Sequence, residues 1–213
     1  MPNTATEVSP PDTTDVRRLR SAASGCQSCP LYRDATQTVF GIGPATATVL
    51  AVGEQPGDRE DVAGEPFVGP AGRLLDKAFE EAGFDRRSIY LTNAVKHFKF
   101  TRDERGKRRI HQKPSRGELT ACRPWLLAEL RAVRPDLVLV LGATAAQALL
   151  GPTFRLTRHR GEHIDPPADI ADIVGTAVAT VHPSSVLRAP DRDKAYAAFV
   201  DDLRAAHDAF TTP

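Results

Sequence analysis

The sequence is short of several things. Its 213 residues include three cysteines, one methionine and one tryptophan, and only 6% of them are aromatic. An odd, small cysteine count with no basic segment leading into an apolar one argues against a secreted disulfide scaffold. No apolar run approaches the ~20 residues that a membrane-spanning helix needs. Neither charge dominates: 28 Lys and Arg stand against 27 Asp and Glu, a net charge of +1. Such a balance excludes a disordered polyelectrolyte and leaves the distribution of charge to be read. Two phosphate-binding signatures are missing as well. No strand-like segment opens into G-x-G-x-x-G, and no glycine-rich loop ends in Gly-Lys-Ser/Thr. The expectation is a cytoplasmic protein with a core large enough to fold without cross-links.

What is present is an alternating pattern. Met1–Asp15 is polar and rich in Pro and Thr, and reads as a flexible tail; residues 16–210 read as one domain. Apolar, β-branched segments predict strands at Thr46–Val52, Ile89–Val95, Asp136–Leu141 and Ile173–Val181. Helical spacing predicts helices over Asp15–Ser24, Gly72–Ala82, Ser115–Val133, Ala143–Leu150 and Asp191–Phe210. Ser115-x-x-Glu118 is a capping-box pattern. Strands alternating with helices predict βαβ units and an α/β fold on a parallel sheet. Ligands of such sheets bind at the carboxyl ends of the strands. Gly53-Glu54-Gln55-Pro56-Gly57, Asn93 and His182-Pro183-Ser184 all follow strands directly, so they are expected on one rim.

Each motif also has a plain structural reading. Glu54 is either a solvated turn residue or a carboxylate that orients water or faces developing positive charge. Phe67 is either a core side chain or a face on which a planar base stacks. Asn93 ends a strand, and its side chain offers a donor and an acceptor together, which suits the edge of a base. After His182, Leu187 suits a wedge in a base stack, and Arg188 and Ser184 suit phosphate contact. The span Lys96–Arg116 holds nine Lys and Arg against two acids, Asp103 and Glu104. It includes Lys96, Lys107, Arg108 and Arg109 around Phe98 and Phe100, and reads as a surface tracking a nucleic-acid backbone. Cys26-x2-Cys29 with Cys122 supplies three thiolates, and His97 is the candidate fourth ligand. Spacing alone does not separate a tetrahedral zinc from an iron–sulfur cluster. His159 and His163 are unassigned.

Taken in order, Cys26-x2-Cys29, Gly53-Glu-Gln-Pro-Gly57, Pro66-Phe67-Val68-Gly69, Thr92-Asn93-Ala94-Val95-Lys96, Ala121-Cys122-Arg123-Pro124 and His182-Pro183-Ser184 resemble the family 4 uracil-DNA glycosylases. Two features depart from that pattern: His97 stands where a fourth cysteine is usual, and the loop of about residues 101–114 is long and carries Lys107-Arg108-Arg109-Ile110-His111. With Gln55, that loop resembles the UdgX subclass, whose members stay covalently attached to DNA after excising uracil. The resemblance implies a three-layer α/β/α sandwich around a four-stranded parallel sheet, and a [4Fe-4S] cluster on Cys26, Cys29, His97 and Cys122. It implies action on uracil-containing DNA, single-stranded DNA included, with uracil released and the sugar bound to the protein; nothing in the sequence demands more than a monomer. Phe67 would stack on uracil, Asn93 would read its edge and the Gln55 backbone would contact it. His182 and Glu54 would stabilise the departing base and the sugar cation, and His111 would be the nucleophile. Glu54 as a base for water, or as the residue orienting His111, remains open at this level. So do a glycosylase that uses water and turns over, a non-catalytic single-strand binder, and a nucleotide hydrolase.

Overall fold

The computed structural model describes residues 9–211 apart from Arg105 and Lys107. Residues 1–8 of the expected tail therefore lie outside the described residues. The elements run α1 (Val16–Ala23), β1 (Val49–Gly53), α2 (Asp58–Ala63), α3 (Pro70–Glu81), β2 (Ile89–Asn93), β3 (Phe100–Arg102), β4 (Arg109–His111), α4 (Arg116–Val133), β5 (Leu137–Leu141), α5 (Ala143–Leu150), β6 (His163–Ile164), β7 (Thr176–Thr180), α6 (Pro183–Leu187) and α7 (Arg192–Thr211).

The main sheet has the order β2-β1-β5-β7-β6. Its first four strands are parallel, as the alternating pattern predicts. The expected four-stranded sheet gains a fifth member, because β6 pairs antiparallel with β7 at the edge. Two residues of mixed polarity carry too little periodicity to announce a strand. Strands β1, β2 and β5 are buried along their whole length, as parallel strands covered on both faces must be. One face presents Leu50, Val52, Tyr90, Val138 and Val140 to a core shared with Leu19 of α1, Trp125 and Leu126 of α4 and Ala145 of α5. The other presents Ala51, Leu91, Leu139 and Val178 to Leu75 and Phe79 of α3 and Phe199 and Leu203 of α7. The result is the three-layer α/β/α architecture. No helix among the described residues is long and apolar enough to cross a membrane.

Helix α4 starts where the capping box predicts. Ser115 Oγ accepts the Glu118 amide at 3.3 Å, and Glu118 Oε2 accepts the Ser115 amide at 2.6 Å. Three elements are finer than the sequence pattern. The hairpin β3–β4 lies inside the basic loop, α2 follows the Gly53–Gly57 turn, and α6 begins at His182. All three are short and polar, so no hydrophobic period marks them. Together they surround the rim where β1, β2, β5 and β7 end.

Candidate active site

The centre of the rim is a residue without a side chain. A Cβ at Gly53 would collide with Asn93 Oδ1, and would lie 2.7 Å from Phe67 Cζ and 3.5 Å from His182 Nε2. Gly53 and Asn93 are register partners at the ends of β1 and β2. The missing side chain therefore lets Asn93, Phe67 and His182 converge on this point of the rim. The sequence pattern suggested only a turn there.

Phe67 reaches this point through a left-handed backbone, φ 60°. Such a conformation costs a non-glycine residue about 1–3 kcal/mol and persists only where neighbours dictate it. Gly72 is one such neighbour: any Cβ there would occupy the position of the Phe67 carbonyl. The Phe67 ring stacks against His182, with centroids 6.2 Å apart and planes 26° apart.

His182 caps α6. Its Nδ1 accepts the Ser184 amide at 3.2 Å and lies 2.8 Å from Ser184 Oγ. An amide can only donate, so Nδ1 holds the lone pair and Nε2 carries the proton. Burial, helped by the nearby His111 and Arg188, pushes the His182 pKa down to about 4. The site thus holds a neutral imidazole with its N–H beside Gly53. Ser184, read as a phosphate contact, has both its amide and its hydroxyl turned onto His182 and sets the tautomer. Leu187 is partly buried and packs against the core face shared by α3 and α7. Arg188 is exposed and electrostatically close to both histidines.

Across the rim, His111 Nε2 stands 3.4 Å from Glu54 Oε1, and the His111 side chain is 50% exposed. Partial burial lowers the His111 pKa below the usual histidine value; Glu54 opposes the shift and Arg188 adds to it. His111 sits on β4 opposite Phe100. Gln55 ties the base of that hairpin. Its Oε1 accepts the Lys99 amide at 3.0 Å, and its Nε2 donates to Lys99 O at 3.3 Å and Gln112 O at 2.9 Å. One side-chain amide thereby bridges both strands of the loop that carries His111.

The basic loop differs most from its sequence reading. Arg109 does not face solvent: its guanidinium pairs with Asp58 and with the fully buried Asp61. It also lies over the rings of Phe98 and Phe100, 5.4 and 5.1 Å from their centroids. It therefore anchors the hairpin to α2 instead of tracking a phosphate, and the two phenylalanines form its platform. Removing Arg109 strands a buried carboxylate, at a cost of about 3 kcal/mol. We expect Arg109→Ala to lower the melting temperature and loosen the hairpin, and Arg109→Lys to restore little, since an ammonium neither stacks nor forks. Thermal denaturation of both variants checks this; an unchanged Arg109→Ala melt overturns it.

Lys96 also does not track a nucleic-acid backbone. It is 1% exposed and its Nζ is in a buried pair with Glu129, while donating to Thr92 Oγ1 at 2.6 Å and to Asn93 O at 2.7 Å. Glu129 also accepts from Gly41 N at 2.9 Å and Tyr90 OH at 3.0 Å. Lys96 is thus core support for the end of β2. Arg108 is exposed, and Lys107 lies outside the described residues.

The three cysteines are unbridged. Cys26 Sγ accepts from Trp125 Nε1 at 3.2 Å, and Cys122 Sγ accepts from the Lys96 amide at 3.2 Å. Burial pushes the Cys122 thiol up to about 12, with Cys29 and Cys26 among the nearby charges that add to it. Among the described residues no three His, Cys, Asp or Glu side chains gather as a metal-ion site. His97 is buried, and its Nε2 lies 2.9 Å from Thr38 Oγ1. Thr38 already donates its only hydroxyl proton to Ala23 O. His97 Nε2 therefore donates, and Nδ1 keeps the lone pair.

Two carboxylates near the rim had no signal beyond the acidic run Asp58-Arg59-Glu60-Asp61. Asp61 receives Arg109, and Glu60 joins two loops. His159 pairs with Glu162 at 3.0 Å and His163 lies on the edge strand beside Thr176, so neither joins this group.

Residues 40–204 match the Uracil DNA glycosylase superfamily. The chain is 33% identical over 179 residues to a type-4 uracil-DNA glycosylase of Pyrobaculum aerophilum, covering 83% of this chain and 86% of that one. It is 35% identical over 166 residues to a type-4 uracil-DNA glycosylase of Thermotoga maritima, covering 76% and 78%.

Proposed function

The chain belongs to the uracil-DNA glycosylase superfamily, and on that premise we propose that it excises uracil from DNA and then retains the sugar covalently through His111. The excision rests on membership of the family. The capture rests on one observation: a neutral-leaning imidazole, on a hairpin locked by Gln55 and Arg109, faces Glu54 at the same rim as His182.

A uracil in a duplex is out of reach, so the base is flipped or taken from a single strand. It enters the space over Gly53, stacks on Phe67 and presents its edge to Asn93. The glycosidic bond breaks with positive charge growing at C1′ and negative charge on the base. His182 Nε2–H donates to the carbonyl oxygen that receives that negative charge, and a preorganised donor in a buried site is strongest for this task. Because His182 is neutral, it stabilises the anion through a hydrogen bond without being a strong acid. Glu54 stabilises the sugar cation. The imidazole of His111 then attacks C1′ with its free lone pair, and its ring proton leaves. Fixing the nucleophile at the reaction centre gives it a large advantage over bulk water.

Cys26 and Cys122 suit thiolate ligands, since Trp125 Nε1–H and the Lys96 amide already point at their sulfurs, as groups around a ligating sulfur do; Cys29 joins them through the C-x2-C spacing. The tautomer of His97 leaves Nδ1 as a donor atom for the fourth position. These four residues would hold a [4Fe-4S] cluster, which would tie the segment 26–29 to α4 when bound. The exposed Arg108 and Arg188 contact the DNA backbone.

The test is a denaturing gel with an end-labelled oligonucleotide containing one uracil. A retarded band that survives heat and SDS, absent with thymine, is the expected result. No band but alkali-labile sites means a glycosylase that uses water; neither signal sinks excision itself. Run across pH, the same assay reads the nucleophile. The groups facing His111 are Glu54, Arg188 and His182. Only neutral His111 attacks, and its pKa lies below the usual value of about 6.5. The adduct rate therefore rises from acid and is already level near neutrality. His182, neutral down to about pH 4, adds no step in that range. A rate that falls as pH rises through 5 to 7 overturns the assignment.

A further inference from the structure

We propose that Glu60 is a positioning residue that sets the width of the base slot, an inference that rests on reading that slot as the uracil pocket. Glu60 is 8% exposed in the first turn of α2, and among the described residues it pairs with no Lys or Arg. Its two oxygens instead hold two different loops. Oε2 accepts the Gly57 amide at 3.1 Å, and Oε1 accepts the Gly69 amide at 2.8 Å. The first bond alone would be ordinary helix capping. The second reaches across to a loop nine residues away, and bonds from an amide to a charged oxygen are the stronger kind.

Both contacts are fitted. A Cβ at Gly57 would stand 2.7 Å from Oε2, and one at Gly69 would stand 2.9 Å from Oε1. The Gly57 loop leads back to Gly53, Glu54 and Gln55. The Gly69 loop leads back two residues to Phe67, in its left-handed conformation. One carboxylate thus fixes the Phe67 ring relative to the backbone of Gly53 and Glu54, the two sides between which a flat base must slide. His111 is held by other side chains, Gln55 and Arg109, which themselves rest on the Gly57 loop and on Asp58 and Asp61 of α2.

Glu60→Gln keeps the shape but turns one acceptor into an N–H that faces an amide N–H. Misplacing a base by a fraction of an ångström is expected to cost about tenfold or more in rate. In the folded variant, single-turnover uracil release falls by about that factor and inhibition by free uracil weakens in parallel. Affinity for an oligonucleotide carrying a tetrahydrofuran abasic analogue, which has no base, stays within about twofold. A purely structural role would lower the melting temperature without separating base from abasic binding. Unchanged uracil inhibition, or an equal loss on abasic DNA, overturns the proposal. If Glu60→Gln does not fold, Gly69→Ala at its ordinary φ of −84° displaces the same carboxylate and is read the same way. Absence of uracil release by the unaltered protein would count against the glycosylase reading, not against this clasp.

Discussion

His111→Ala abolishes the heat- and SDS-resistant adduct while uracil release continues. The two outcomes separate because the proposed mechanism gives the two steps to different side chains. It assigns leaving-group stabilisation to His182, whose tautomer is set by Ser184. It assigns capture to His111, which is half exposed and hydrogen-bonds neither Asn93 nor Phe67 among the described residues. Truncation to Ala is expected to admit water beside Glu54, which in this mechanism takes the proton of the attacking water. The variant then turns over. Single-turnover assays with labelled DNA read both products at once: covalent band and alkali-labile site. An adduct of undiminished yield in His111→Ala would falsify the nucleophile assignment. Loss of both products would mean that His111 also takes part in breaking the glycosidic bond.

His182→Ala slows excision by about 10²–10³-fold, the range for removing a preorganised donor to a developing oxyanion. Adduct formation falls with it, because capture waits on departure of the base. The N-cap of α6 is lost too, for about 1 kcal/mol, so the melting temperature is measured alongside. Free uracil should bind more weakly and abasic DNA about as before. An excision rate within about threefold of the unaltered protein removes His182 from the chemistry. The pair of variants forms a contrast: one uncouples adduct from excision, and the other slows both together.

Much of the fold was legible because burial on both faces leaves a strong mark. Segments such as Leu137–Leu141 are apolar throughout, and Ser115 with Glu118 announces the start of α4. The rim was legible for the same reason: residues that follow parallel strands share one edge of the sheet. Short polar elements left no such mark. The hairpin β3–β4, the helix α2 and the antiparallel edge strand β6 appear in the sequence only as charge and turn residues. A run of basic residues likewise does not reveal which of its members has a partner.

The α/β class, the order of the motifs and the residue types at the rim are written in the chain, because periodicity and strand ends are local properties. Packing of the layers places Lys96 in the core with Glu129, makes Arg109 clamp α2 and sets the Gln55 side chain across the hairpin. It alone brought Gly53 between Asn93, Phe67 and His182. Each of these is a pairing between residues far apart in the chain. A buried charge must find an opposite charge or an amide, and which one it finds depends on how the layers pack.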